Sequence, residues 1–201
     1  MNKLVLVLFI LFTQNAFSSG WSNYQEIRAS SIEIRFDQNI QQIVGNLSLE
    51  VWRSETKFDG KRATDTLIQN FSDDGYLIMS HVKFPPTFVI VGSGNDRKFI
   101  AKQIPWLLNI DDRDSPIRKI RKKDLIKYRD IQDIVVPYVL FGYEDNTCVV
   151  FKKGYYTQES GYHRAAEDDE YIIGLYCDYD NNLDMNQVES LIDSITLVSL
   201  R

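Results

Sequence analysis

The stretch Asp178-x-Asp180-x-Asn182-x-Asp184, followed by Asn186 and Glu189, places oxygen-bearing side chains at alternate positions. Its spacing follows the calcium-binding EF-hand loop, where alternate oxygens wrap a hard cation and a final glutamate closes the site. Asp178, Asp180, Asn182, Asp184 and Glu189 are therefore the candidate metal ligands. Two features oppose this. Leu183 stands where such a loop needs glycine for its sharp turn, and the element entering the loop reads as a strand rather than a helix. The competing reading is a solvated turn followed by a helix, with Asp184 as N-cap and Gln187 as its reciprocal partner. The expectation is that the five side chains do not converge, and calcium is the one cofactor the sequence raises.

The chain has two histidines, His81 and His163. No HxH or HExxH spacing accompanies them, so zinc has weak support, and no GxSxG elbow exposes a serine. No residue is assigned as catalytic. The enzyme alternative is a hydrolase using His163 or His81 with nearby carboxylates. His81 falls on a strand face with Leu77 and Met79, and His163 lies beside Arg164 and the acidic run 167–170. Gly92-Ser93-Gly94 lacks the third glycine and the Lys-Ser/Thr of a phosphate cradle, and reads as a turn.

Residues 113–129 hold eight Lys/Arg among interspersed aspartates. Arg118, Arg121, Lys122 and Lys123 are candidate contacts to an anionic surface such as lipid headgroups or polysaccharide, against the plainer reading of a solvated mixed-charge run. The formal net charge of the chain is −5. That balance argues against general nucleic-acid binding, which needs clustered cations to neutralise phosphates.

The elements that must position these groups centre on the C-terminal third. Cys148-Val149-Val150-Phe151 and Tyr171-Ile172-Ile173-Gly174-Leu175-Tyr176-Cys177 are short runs rich in β-branched and aromatic residues, hence paired strands. An antiparallel hairpin places Cys148 near Cys177, so the two cysteines can bridge. Val188, Leu191, Ile192 and Ile195 recur at helical spacing and form a closing helix. Further strands are expected around Ile32–Phe36, Leu47–Trp52, Tyr76–Phe84 and residues 134–142, where Pro137 argues for an edge or bulge. Residues 62–71 read as a helix from the spacing of Ala63, Leu67, Ile68 and Phe71. Residues 87–104 read as a hairpin, with a helix from Asp96 as the alternative. Pro105-Trp106-Leu107-Leu108 reads as a short irregular or single-turn piece. Residues 115–129 fit either a helix or a turn at Lys122-Lys123-Asp124.

Residues 1–18 have the form of a secretory signal peptide: Lys3, an apolar run 4–12, and small residues at Ala16 and Ser18. The run is shorter than the roughly 20 residues of an ordinary transmembrane helix, so no transmembrane anchor is expected in the mature chain. Residues 19–201 are then one exported α+β domain. Its antiparallel sheet carries the C-terminal helix on one face, joined by the 62–71 helix, and contains the two-cysteine hairpin. Export to an oxidising compartment makes the cysteine pair a structural disulfide rather than a redox or metal pair.

The pattern Asn146-Thr147-Cys148-Val149-Val150-Phe151, then Gly174-Leu175-Tyr176-Cys177 and Val188…Leu191-Ile192-Asp193-Ser194-Ile195, resembles the tail of small exported proteins of unknown function found in alphaproteobacteria. The resemblance covers about a quarter of the chain and implies export, a two-cysteine hairpin and a terminal helix. Together these readings describe a periplasmic or secreted, non-catalytic binding or accessory protein acting on a protein or cell-envelope partner.

Overall fold

Alternation of β-branched and aromatic residues with polar ones builds ten strands in the computed structural model, which describes residues 23–58, 61–84, 96–155 and 170–198. Eight form one wholly antiparallel sheet. They are β1 (Gln25–Glu26), β3 (Glu50–Phe58), β4 (Lys61–Phe71), β5 (Gly75–Lys83), β6 (Ile126–Arg129), β7 (Val135–Tyr143), β8 (Asn146–Tyr155) and β9 (Glu170–Asp178). Their spatial order is β1-β3-β4-β5-β9-β8-β7-β6, so two meanders meet where β5 pairs β9. The remaining strands, β2 (Ile34–Phe36) and β10 (Ile195–Leu197), make a small antiparallel pair of their own.

Each face of the sheet has its own core. On one, the helix α2 (Asp96–Leu108) places Ile100, Ile104 and Leu107 against Leu67, Ile78, Val150, Ile173 and Leu175. On the other, the short helix α1 (Gln41–Val44), the helix α3 (Met185–Asp193) and the β2/β10 pair cover Val51, Ile68, Met79, Phe151 and Tyr176. The α+β class, the terminal helix on one face and the cysteine hairpin agree with expectation.

β9 lies under both cores, and all nine of its residues are buried. Gly174 in its centre faces Phe151 across the ladder, and a Cβ there would lie 2.3 Å from the Phe151 ring. The glycine therefore makes room for an aromatic ring that fills the core on the α3 side.

Several expectations are corrected. Residues 62–71 are strand β4, not a helix, because the neighbours Leu67 and Ile68 enter opposite cores, which only a period of two allows. The hairpin over 87–104 gives way to the helix alternative, since Asp96–Leu108 is helical; residues 85–95 lie outside the described set. Pro105 belongs to that helix rather than to an irregular piece, held there by buried Ile104 and Leu107 on either side. For residues 115–129, left open between helix and turn, the structure gives the turn. Ile117, Ile120 and Leu125 go to the α2 core while Ile126 and Tyr128 go to the other, and Asp124 N–H bonds Arg121 O in a turn that leads into β6. Pro137 faces Lys127 of β6 and lies just before the β7–β8 ladder begins, so its missing donor breaks no central pairing. Residues 1–18, Gly92-Ser93-Gly94 and His163 lie outside the described residues.

Helix α3 is placed by its ends. Asp184 Oδ1 accepts from Gln187 N at 2.8 Å while Gln187 Oε1 accepts from Asp184 N at 2.9 Å, the capping box expected from sequence. At the C-terminal end the wholly buried Lys153 of β8 donates to Ile192 O at 3.3 Å and Ile195 O at 2.7 Å and pairs with Asp130 Oδ2 at 2.5 Å. The other Asp130 oxygen accepts from Gln132 N at 2.9 Å and Ile134 N at 2.8 Å. Burial holds the Lys153 ammonium below its ordinary pKa, with Asp130 pulling the other way. A cation at the helix C-terminus also complements the helix dipole.

Cys148 and Cys177 are register partners on β8 and β9 and form a disulfide with Cα atoms 4.0 Å apart. Replacing either by serine should lower stability by about 3 kcal/mol on the chain-entropy account of the unfolded state, measured by denaturant melts. An unchanged midpoint would contradict a stabilising bridge. Lys153→Met leaves Asp130 buried without its cation and should cost about 3–5 kcal/mol in the same assay, whereas a loss below ~1 kcal/mol would contradict the role given to this pair.

Candidate functional site

The proposed calcium ligands are drawn into local structure instead of toward one point. Asp178 is buried at the end of β9, and its carboxylate accepts from Asn182 N at 2.6 Å and Asp180 N at 3.3 Å, closing the turn after the strand. Asp184 caps α3. Leu183 is a core residue packed with Val188 and Leu191, which explains why no glycine stands there. Asp180 and Asn182 are exposed, and Glu189 is half-buried on α3. Asp178 thus departs from the solvated turn of the competing reading, because it is buried and its oxygens organise the turn.

Among the described residues, one group of three metal-capable side chains does converge: Glu33, His81 and Glu170. Their ligand atoms all lie within 4.8 Å of one another. β5 and β9 bring His81 and Glu170 to the α3 side of the sheet, and the start of the β2/β10 layer brings Glu33. His81 Nε2 lies 2.6 Å from Glu170 Oε1, with both side chains at most 5% exposed. The other Glu170 oxygen is buried with no hydrogen-bond partner. Glu33 is half-exposed and takes a hydrogen bond from Lys83 at 2.9 Å. Partial burial pushes the Glu33 carboxyl up, but that bond and the charges of Lys83, His81 and Arg53 outweigh it and hold it below the usual range. Sequence reasoning put His81 on the correct face. It missed Glu33 and did not pair Glu170 with His81, because only the β5–β9 register joins positions so far apart.

The opposite face carries a different chemistry. A cleft of about 600 Å³ opens between α2 and residues 112–120. Arg97, Lys98, Lys102, Arg118 and Lys119 surround it, with Asp112 the single carboxylate in the lining. The floor is apolar, from Ala101, Pro105, Ile117 and Ile120. Arg97 and Lys98 stand in the first turn of α2, where the helix dipole favours anions and disfavours cations. An anion placed there would meet the dipole and the side chains together. A second cavity of about 430 Å³ adjoins it across Lys102 and Asp112 and reaches Asp65. Burial raises the Asp65 carboxyl, and hydrogen bonds from Ser80 and Tyr24, each 2.7 Å, and the charge of His81 partly offset that.

Of the basic residues singled out in the sequence, Arg118 lines the cleft, where its Nη2 donates to Arg113 O at 2.5 Å. Arg121 forms a two-pronged ion pair with Asp124, at 2.7 and 3.1 Å. Lys122 and Lys123 lie on the exposed turn beyond it and are not part of the lining. Arg97, Lys98 and Lys102 went unnoticed because the first reading of their segment was a hairpin. Read as a helix, residues 97, 98, 101, 102 and 105 cluster along one side.

No family model, no curated protein and no solved structure matches this chain. The local geometry of 178–189 predicts that millimolar calcium raises no melting temperature, while Asp184→Ala, by removing the cap, lowers stability by about 1 kcal/mol. Calcium-dependent stabilisation abolished by Asp180→Ala would contradict this.

Proposed function

We propose that the chain is an exported, non-catalytic binding protein that takes a phosphate-bearing component of the cell envelope in the cleft between α2 and residues 112–120. One observation carries the reading: five cationic side chains face one carboxylate around an apolar floor, in a chain whose formal net charge is −5. A cluster of one sign on an oppositely charged molecule focuses potential toward a ligand of the other sign. The apolar floor suits an anion with a hydrocarbon neighbour, as in a lipid headgroup. The disulfide is compatible with export, and none of the described helices is long and apolar enough to cross a membrane.

The hydrolase reading rests on the 2.6 Å contact between His81 and Glu170. Burial of both side chains favours a holding role over turnover, because a general base must reach the proton it removes.

Vesicles of phosphatidylcholine with and without phosphatidylglycerol test the proposal. Binding should require the anionic lipid and weaken with salt. Lys102→Glu and Arg118→Glu should each lower it by at least ~5-fold. Saturable binding of glycerol phosphate in place of vesicles would identify a free phosphate ester as the source. Equal association with neutral vesicles and no binding of glycerol phosphate, or indifference to both reversals, would overturn the reading.

A further inference from the structure

We infer that Glu33, His81 and Glu170 form a binding site for a divalent first-row metal ion, zinc being an ion that accepts this donor set. The imidazole and two carboxylates are the nitrogen and oxygen donors such ions take. Glu170 supplies the independent indication of a ligand. Its Oε2 is buried without a hydrogen-bond partner, although its other oxygen lies 2.6 Å from His81 Nε2. Buried polar atoms are nearly always satisfied, and leaving a carboxylate oxygen bare is among the costlier arrangements in a protein. A cation between Glu170, His81 and Glu33 satisfies that oxygen and balances the two carboxylates.

The three donors come from elements that are fixed independently. His81 and Glu170 sit on adjacent central strands, with His81 opposite Ile172 and Glu170 opposite Lys83 in the β5–β9 ladder. The backbone of Glu33 is tied down where its carbonyl accepts from Val198 N at 2.7 Å. Ligand atoms within 4.8 Å of one another need only small side-chain rotations to reach one ion about 2.0–2.2 Å from each. Because Glu33 is half-exposed, the fourth position opens toward solvent on its side, the pattern of three protein ligands plus water. Lys83 is the competitor: its ammonium bonds one Glu33 oxygen and leaves the other for the metal.

The site lies on the α3 side of the sheet and the basic cleft on the α2 side, so metal and anion binding can be tested separately. The experiment uses the untagged protein, stripped with chelator and titrated with zinc sulfate by calorimetry, with melting temperature read in parallel. One equivalent should bind and raise the melting temperature. Glu33→Gln keeps the shape of a half-exposed side chain and should leave the metal-free melting temperature near that of the parent. It should weaken zinc by more than the ~10–100-fold that loss of an outer-shell partner costs. Cobalt gives a second readout, visible absorption bands in the parent that disappear in Glu33→Gln and His81→Gln. Absence of saturable zinc binding, or one-equivalent binding that survives both substitutions, would overturn the inference.

Discussion

The pairing of β9 with β5 on one side and β8 on the other is the constraint from which the rest of this molecule follows. β9 is buried along its whole length and contributes to both cores. Its register fixes Glu170 two positions from the level of His81 and on the same face, Cys177 against Cys148, and Gly174 beneath Phe151. Neither meander is covered on its own edge at this junction, so joining them hides backbone groups as well as side chains. The disulfide then fastens β9 to β8 near one end of the strand, and the buried polar cluster lies toward the other.

Alternation along these strands divides two chemistries between two faces. Ile173, Leu175 and Cys177 point to α2, whose outer side carries the basic cleft, while Ile172 and Tyr176 point to the α3 layer, into which His81 and Glu170 project. Several charged groups on the α3 side are held by specific partners, while the buried hydroxyls of Tyr138 and Tyr155 have no hydrogen-bond partner. Lys153 satisfies carbonyls at the end of α3 and pairs with Asp130, whose second oxygen organises the turn before β7. Asp193 accepts from Tyr128 and Ile131 N, which ties the edge strand β6 to the same helix. Asp130 Oδ2 lies against the Lys153 ammonium, whereas Glu170 Oε2 is buried with no hydrogen-bond partner, and that contrast marks its cluster as a place for a ligand.

Much of this organisation was legible where local patterns agree with the final packing. Cys148 and Cys177 end two β-rich runs, and they meet as register partners. Val188, Leu191 and Ile192 repeat at helical spacing, and Asp184 with Gln187 marks the start of that helix. Sequence pattern failed where an element is covered on both faces. Ala63, Leu67 and Ile68 mimic a helical stripe because β4 buries side chains on each side, which hides the period of two. The same ambiguity affected 115–129, whose apolar residues part between the two cores. The convergent Glu33, His81 and Glu170 could not be read from spacing, since they come from three separate segments.

Hydrogen–deuterium exchange, followed by peptide mass for the protein alone, with zinc, and with glycerol phosphate, tests most directly the claim that a sheet centred on one buried strand keeps two sites apart on its two sides. The account predicts that 171–177 exchanges slowest in all three states, as expected of a segment opened only by global unfolding. Zinc should add protection around 33 and 81–83, and the phosphate ester around 97–102 and 115–120. Fast exchange across 171–177, or protection by both ligands in the same peptides, would contradict it.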